Sequence, residues 1–301
     1  MSVRAQRWSP RIRRNLLLGL LFASPWLVHL ATLVFYPFFA SMYYSLTYYN
    51  VFQPPDFIGL ENYRVLFTED KLFWTSLYNT LYFTVFSVGG GTVLAIIIAM
   101  MLNMAVRLRS LYRTIYYLPT VTPAVASAVL WLFLFNPLYG AVNAVLISLH
   151  LPNPAWLGDP RWSKPALIIM SFWGLGNAIV IYLAGLQDVP REMLEASALD
   201  GANWHQKIRH VTLPMISSVV FFNVVTGLIG SFQYFTEAYV MTGGGPADST
   251  LFYGLYLYNS AFRYFKMGYA SALAWVLFII IMVVTLLTFR LSSRRVYYAG
   301  G

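Results

Sequence analysis

The chain has 301 residues, of which 58% are hydrophobic and 10% are charged. A soluble globular protein carries about a quarter charged residues, so this composition excludes a soluble domain and indicates an integral membrane protein. The absence of cysteine excludes disulfides and thiolate metal sites. The formal net charge of +9 indicates either a surface that binds nucleic acid or an excess of Lys and Arg in the cytoplasmic loops of a membrane protein.

Apolar runs that are long enough to cross a bilayer, which takes about 20 residues per helix, recur along the chain. We therefore predict an all-α membrane protein with six transmembrane helices. The predicted spans are 16–38, 76–104, 114–136, 165–187, 214–241 and 267–289. A basic N-terminal segment (1–14) precedes one transmembrane domain (15–290), and a short tail (291–301) follows it.

The distribution of positive charge predicts the topology. Fourteen of the 20 Lys and Arg residues lie in the N-terminal segment, the loop after the second span, the 189–213 loop and the C-terminal segment, and six lie in the other three loops. Because loops rich in Lys and Arg stay in the cytoplasm, both termini and the 189–213 loop are predicted to be cytoplasmic. The net charge is thus a topology signal, and no nucleic-acid partner is expected.

The 189–213 loop is polar and carries both signs of charge. Its pattern predicts two short helices at an angle, with Pro190 in the opening turn of the first. Gly201 should end that helix, because glycine readily adopts the left-handed conformation past a helix C-terminus. Asn203, with Gln206 three residues later, is typical of a capping box that starts the second helix. A folded loop of this kind either contacts a partner or only ties two spans together.

The spacing of Glu195-Ala196, Gly201 and Leu213-Pro214 resembles the signature of binding-protein-dependent ABC importer permeases. The wider sequence is similar to the carbohydrate branch, which includes maltose, glycerol-phosphate and multiple-sugar systems. Ser197 and Val211 are mild departures from the Ala and Ile of that signature. Three further segments resemble the same branch: Gly59–Tyr63, Asn79–Thr80 and Thr242–Pro246.

The resemblance implies a type I ABC importer permease fold, with the 189–213 loop as a cytoplasmic coupling helix, in the inner membrane of a bacterium or archaeon. It implies a second homologous permease subunit, a dimer of ATPase subunits that binds ATP and Mg, and an extracytoplasmic solute-binding protein. The cargo would be a mono-, di- or oligosaccharide, or a related polyol or glycerol phosphate. The residues that the resemblance assigns to ATPase coupling are Glu195, Ala196, Ser197, Asp200, Gly201, Leu213 and Pro214.

No G-x-x-x-x-G-K-[ST] motif occurs in the chain, so ATP hydrolysis is expected in a separate subunit and no cofactor is expected here. No nucleophile, base and orienting group fall together in the sequence. The four histidines are scattered and predict no metal site. The chain is therefore predicted to be a transport subunit and not an enzyme, without catalytic residues.

Polar and small residues in the fourth and fifth spans form the candidate substrate pathway. Polar groups at membrane depth are costly and usually functional, and rings, amides and hydroxyls suit the C–H faces and hydroxyl edges of sugars. Helical spacing places Gly227, Ser231 and Tyr234 on one face. The candidates are Trp173, Gly174, Asn177, Gly227, Ser231, Gln233, Tyr234 and Glu237, of which the resemblance assigns all but Gln233 and Glu237.

Several alternatives stay open. Small residues in the spans can serve helix packing, Glu195 can pair with Arg191 four residues earlier, and Glu237 can be a gate or interface group or can reach toward water. An ion-coupled secondary transporter would show inverted repeats and acids within the spans. A membrane-embedded enzyme would need clustered His, Asp or Ser at depth. The sequence shows no repeat, no such cluster and one acid at membrane depth.

Overall fold

The computed structural model describes residues 10–104 and 107–292, without the side chain of Arg13. Most of the predicted basic segment 1–14 and nearly all of the tail 291–301 lie outside these ranges. The helices are α1 (Pro10–His29), α2 (Tyr36–Tyr44), α3 (Glu61–Thr68), α4 (Lys71–Asn103), α5 (Arg109–Val121), α6 (Ala124–Leu134), α7 (Ala141–Ser148), α8 (Pro160–Trp173), α9 (Gly176–Gln187), α10 (Arg191–Leu199), α11 (Trp204–Lys207), α12 (Leu213–Met215), α13 (Ser217–Phe232), α14 (Thr236–Met241), α15 (Tyr253–Tyr258) and α16 (Met267–Ser292).

Four helical segments of the described chain are long and apolar enough to cross a membrane. They are Pro10–Tyr44, Lys71–Asn103, Ser217–Met241 and Met267–Ser292. The first joins α1 to α2 through a π-helical turn at Leu30–Phe35 and continues past the predicted end at residue 38. A π-helical turn keeps the backbone hydrogen-bonded, so the segment remains one span.

The third and fourth predicted spans are not straight helices. The axes of α5 and α6 differ by 103°, and those of α8 and α9 differ by 49°. Thr122 has an extended conformation, with ψ of 129°, because the following proline disfavours the helical region for the residue before it. The described chain therefore has four candidate spans, or six if each bent pair is counted as one.

A contact of glycine with backbone fixes the second bent pair. A Cβ atom on Gly176 would lie 2.3 Å from the carbonyl oxygen of Tyr116 in α5. Only a residue without a side chain lets α9 begin against α5 at this distance. The fourth span is thus corrected from a continuous helix to two helices whose bend is set by packing on the third.

Two hydrophobic clusters form the interior. In the first, the fully buried rings of Phe73, Phe83, Phe232 and Tyr253 bring α4, α13 and α15 together. The second lies mainly between α4 and α9, where the small side chains of α4 meet large ones of α9. Small residues allow membrane helices to approach closely. The residues of the second cluster are Ala95, Ala99, Leu102, Ile179, Tyr182, Leu183, Leu186, Val189 and Ile216.

At the end of the bundle away from the 189–213 loop, Asp70 links three helices. Its carboxylate accepts hydrogen bonds from the N–H groups of Leu72 (2.9 Å) and Phe73 (3.2 Å), and so caps α4. It also accepts from the hydroxyls of Tyr256 in α15 and Tyr269 in α16. Burial and this hydrogen bond raise the pKa of Tyr256 above its ordinary value, so its hydroxyl stays a donor.

Nearby loops are secured to the same end. Thr47–Tyr48 (β1) pairs antiparallel with Asp56–Phe57 (β2). The amide of Asn62 donates to the carbonyl oxygens of Ser45 and Thr47, both at 2.9 Å. Helix α3 begins two residues after Gly59, at Glu61.

We predict that Asp70→Ala lowers the free energy of unfolding by about 3 kcal/mol, because the variant loses a helix cap and a charged acceptor for the partly buried hydroxyls of Tyr256 and Tyr269. The measurement is the thermal unfolding midpoint in detergent. Asp56→Ala is the matched control, because the side chain of Asp56 is exposed and makes no hydrogen bond or ion pair with residues 10–104 or 107–292. Equal midpoints for the two variants would contradict the structural role of Asp70.

Candidate functional site

Breaks in three spans meet at one cavity of about 470 Å³. Thr122 stands at the break between α5 and α6, Gly174 at the break between α8 and α9, and Tyr234 between α13 and α14, and all three line it. Non-helical backbone at membrane depth is tolerated only inside protein or against a water-filled space. The full lining is Phe83, Ser87, Val88, Pro119, Thr120, Thr122, Ala124, Ser127, Met170, Ser171, Trp173, Gly174, Asn177, Tyr234 and Glu237.

The structure brings five of the predicted pathway residues together in this lining: Trp173, Gly174, Asn177, Tyr234 and Glu237. They come from two predicted spans that are far apart in sequence. These five residues contribute two large aromatic rings, an amide and a carboxylate. Gly174 adds no side chain, and a Cβ atom built there would make an ordinary van der Waals contact with the carbonyl oxygen of Ser171, at 3.7 Å.

The other three predicted pathway residues lie outside the lining. Gly227 faces Val88 of α4, the Ser231 hydroxyl donates to the carbonyl oxygen of Leu228 (2.9 Å), and Gln233 is exposed. The shared face that we predict for Gly227, Ser231 and Tyr234 assumes a continuous helix. It is wrong because α13 ends at Phe232, and Tyr234 therefore leaves the helical register.

Tyr234 is held by aromatic packing. Its ring stacks on Phe83, with centroids 4.2 Å apart and planes at 26°, and meets Phe252 edge-on at 5.4 Å. Offset stacking and edge-to-face contacts are the favoured geometries of aromatic pairs. The ring orientation is fixed by these contacts, because the hydroxyl makes no hydrogen bond within the described chain.

Unpartnered polar atoms concentrate around the cavity. Within residues 10–104 and 107–292, five buried side-chain polar atoms have no hydrogen-bond partner. Ser87 and Tyr234 line the cavity, Thr84 lies one turn before Ser87 in α4, and the ring of Trp131 is 6.2 Å from that of Trp173. The fifth atom is Nε of Arg113. A buried polar group without a partner is costly, so a polar occupant of the cavity would relieve this cost.

Sequence reasoning missed the wall formed by the second and third spans. Ser87 comes from α4, Thr120 from α5 and Ser127 from α6, while Thr122 lies at the break between the last two. The spacing of Thr80, Thr84 and Ser87 in the second span was the available signal, since these residues recur at helical intervals on α4. The bend between α5 and α6 could not be inferred from such spacing.

The 189–213 loop has most of the predicted local structure. Pro190 is not in the opening turn of α10, as we predict, but is its extended N-cap, with ψ of 129°. Gly201 adopts the predicted left-handed conformation, with φ of +75°. The capping box is formed: the N–H of Gln206 donates to Asn203 Oδ1 (2.9 Å), and the N–H of Asn203 donates to Gln206 Oε1 (2.8 Å). Leu213 and Pro214 lie in α12, which follows a π-helical turn at Ile208–Thr212.

The surface of the loop is open. Glu195, Ala196 and Asp200 are exposed and Ser197 is half-buried. The described ion pairs are Arg64 with Glu61 and with Glu69, and Arg161 with Asp159, so the alternative pairing of Glu195 with Arg191 does not occur. Large apolar side chains flank the bend: Leu199 is 90% exposed and Trp204 is 72% exposed. Apolar side chains exposed together on a folded loop are typical of a protein-contact surface.

The loop is anchored to the helices that carry the cavity residues. Val189 and Ile216, at its two ends, are buried in the second hydrophobic cluster beside Tyr182 and Leu186 of α9. Helix α9 begins at the cavity, and α13 leads from the loop to the break at Tyr234. Packed helices of this kind connect the loop mechanically to the cavity.

Apolar spans, broken helices around a polar cavity and a folded loop at one end together define a membrane permease. The chain belongs to the family described as binding-protein-dependent transport system inner membrane component, whose model matches residues 91–297. It is therefore a multi-pass membrane subunit of an ABC importer, a transport component and not an enzyme.

Individual proteins give the same assignment. The chain is 39% identical over 298 residues to the probable ABC transporter permease protein YesP of Bacillus subtilis (strain 168), a match that covers 98% of this chain and 96% of YesP. It is 34% identical over 284 residues to the lactose transport system permease protein LacF of Rhizobium radiobacter, covering 92% and 94% of the two chains. In fold it is similar to a chain of a bacterial alginate ABC transporter crystallised in complex with an alginate pentasaccharide-bound periplasmic protein, with a TM-score of 0.82, 23% identity and coverage of 96% and 98%.

We predict that Tyr234→Phe leaves the thermal unfolding midpoint unchanged or raised, because the hydroxyl that it removes has no hydrogen-bond partner among the described residues. Tyr234→Ala should instead lower the free energy of unfolding by about 3–5 kcal/mol, because it also removes a ring packed between two others. The measurement is thermal unfolding of both variants in the same detergent. A loss of stability in Tyr234→Phe equal to that in Tyr234→Ala would contradict the packing described.

Proposed function

We propose that this chain forms part of the path by which an ATP-driven importer moves a sugar across the membrane. The observation that carries the proposal is the convergence of three helix breaks on a cavity with aromatic faces and unpartnered hydrogen-bonding groups. Sugars present apolar C–H faces to rings and hydroxyl edges to polar groups. The name of LacF, which specifies lactose transport, supports a sugar as the cargo.

Each cavity residue has a role in this proposal. Trp173 and Tyr234 offer ring faces to the sugar, and the amide of Asn177 offers both a donor and an acceptor. Gly174 leaves room where a side chain would fill the space. The hydroxyls of Ser87 and Tyr234, which have no partner in the part of the chain that the structure describes, form hydrogen bonds with the hydroxyls of the sugar.

The 189–213 loop is the proposed contact with the ATPase subunit, which binds ATP and Mg. Glu195, Asp200 and the bend at Gly201 present the polar part of this contact, and Leu199 and Trp204 present the apolar part. Force from the ATPase passes through Val189 and Ile216 into α9 and α13. The charge distribution supports a cytoplasmic position for the loop and for both termini.

Two further partners complete the proposed assembly. A second homologous permease subunit closes the cavity from the other side, and an extracytoplasmic solute-binding protein docks on the end that Asp70 ties together. The assembly would reside in the inner membrane. With the family assigned, no observation favours an ion-coupled secondary transporter.

The test is uptake of radiolabelled sugars by proteoliposomes that contain the whole complex. We expect uptake to require ATP inside the vesicles. Tyr234→Phe should slow it about 3- to 10-fold, the effect of losing one net hydrogen bond of about 0.5–1.5 kcal/mol, while the ATPase still co-purifies. Unchanged sugar kinetics would remove Tyr234 from the pathway, and uptake by the chain alone in a proton gradient would refute the ATP-driven mechanism.

We also predict that Gly201→Val abolishes uptake while membrane insertion is retained. A side chain in the left-handed conformation costs about 1–2 kcal/mol, so the bend opens and the ATPase contact is lost. The measurements are uptake and the amount of ATPase that co-purifies with the chain.

Gly230→Val is the matched control, because Gly230 lies in α13 with no atom within 4 Å of an added Cβ. It should keep both uptake and the ATPase. Normal uptake in Gly201→Val would show that the bend is not needed for coupling.

A further inference from the structure

The cavity contains one acidic side chain without a compensating cation. Glu237 lines it, and the lining includes no Lys, Arg or His. The ion pairs in the described part of the chain all involve Arg64 or Arg161, neither of which is in the lining. The negative charge of Glu237 is therefore not balanced within this wall.

Lys164 does not supply the missing positive charge, because its ammonium group is engaged outside the cavity. Lys164 Nζ donates to Asn79 Oδ1 (3.0 Å) and lies over the rings of Tyr78 and Tyr82, 4.9 and 5.2 Å from their centroids. Asn79 is held in turn by the carbonyl oxygens of Asp248 and Leu251. Lys164 is therefore part of the link between α4 and the 242–252 segment, and it does not line the cavity.

The position of Glu237 strengthens the electrostatic interaction of its charge with a molecule in the cavity. It lies in the first turn of α14, directly after the break at 233–235, and is half-buried. The lining also includes Thr122 and Ser127 from the third predicted span and Tyr234, three residues before Glu237. Charges interact more strongly where water is partly excluded than in bulk water.

We infer that Glu237 makes this wall of the cavity select uncharged sugars over sugars that carry a carboxylate, phosphate or sulfonate. The inference rests on the proposed function, which specifies a sugar as the cargo, and it adds that this sugar is uncharged. A hydroxyl of a neutral sugar donates a charge-assisted hydrogen bond to the carboxylate of Glu237. An anionic sugar meets a like charge with no cation in this wall to offset it.

The experiment compares matched neutral and acidic sugars on the whole complex without the binding protein, so that the permease alone sets the preference. The probes are labelled di- and trisaccharides, lactose included, each paired with the analogue in which the terminal C6 hydroxymethyl group is oxidised to a carboxylate. Equilibrium dialysis against the detergent-solubilised complex gives the ratio of neutral to acidic binding.

We expect the wild-type complex to favour the neutral sugar and Glu237→Gln to lower the ratio about tenfold, which corresponds to about 1.4 kcal/mol. Glu237→Asp keeps the charge and should keep the preference, which separates the charge from any effect of the substitution on folding. Asp248→Asn, an equal change at an exposed acid outside the cavity, is the control and should leave the ratio unchanged.

Two results would overturn the inference. A ratio that is the same in wild type and Glu237→Gln would show that the carboxylate does not select by charge, while sugar binding itself would leave the proposed function intact. Binding of no sugar, neutral or acidic, to any of the complexes would refute the proposed function and the inference with it.

Discussion

The structure depends on the rule that every backbone N–H and C=O in a bilayer must have a partner. Continuous helices satisfy it, and so the chain can interrupt a helix only where protein or water replaces lipid. Three spans are interrupted, at Thr122, Gly174 and Gln233–Phe235, and residues of each interruption border one cavity. The helix breaks therefore form the walls of the cavity. The cavity in turn provides the lipid-free surroundings that broken helices require.

The two ends of the bundle are built differently. At one end Asp70 and Asn79 bond helices and loops directly to one another with side-chain hydrogen bonds. At the other end the 189–213 loop is held by apolar burial of Val189 and Ile216, while its polar tip stays exposed. One end is secured by hydrogen bonds within the chain, and the other carries an exposed, folded loop.

Local chemistry was predictable from the sequence. Asn203 and Gln206, which are three residues apart, form a capping box with each other. Gly201 bends the chain through its own φ angle. Neither feature depends on contacts with distant residues. The six apolar runs could also be identified from the sequence, because length and composition alone decide whether a helix can cross a bilayer.

Tertiary geometry was not predictable in the same way. The bend before α9 depends on the contact of Gly176 with the carbonyl oxygen of Tyr116, sixty residues earlier in the chain. The end of α13 at Phe232 separates Tyr234 from Gly227 and Ser231, which simple helical periodicity groups together. Which residues line the cavity thus depends on where the helices end, and hydrophobic or helical periodicity in the sequence does not predict those ends.

Helix α9 links the cavity at one end to the loop at the other. Its twelve residues make a rod about 18 Å long, at about 1.5 Å per residue. Pivoting such a rod by about 5° displaces its far tip by about 1.6 Å, a distance close to one carbon–carbon bond. In the coupling proposed above, rocking the 189–213 loop by this angle would change the width of the cavity by a distance comparable to the size of a single sugar atom.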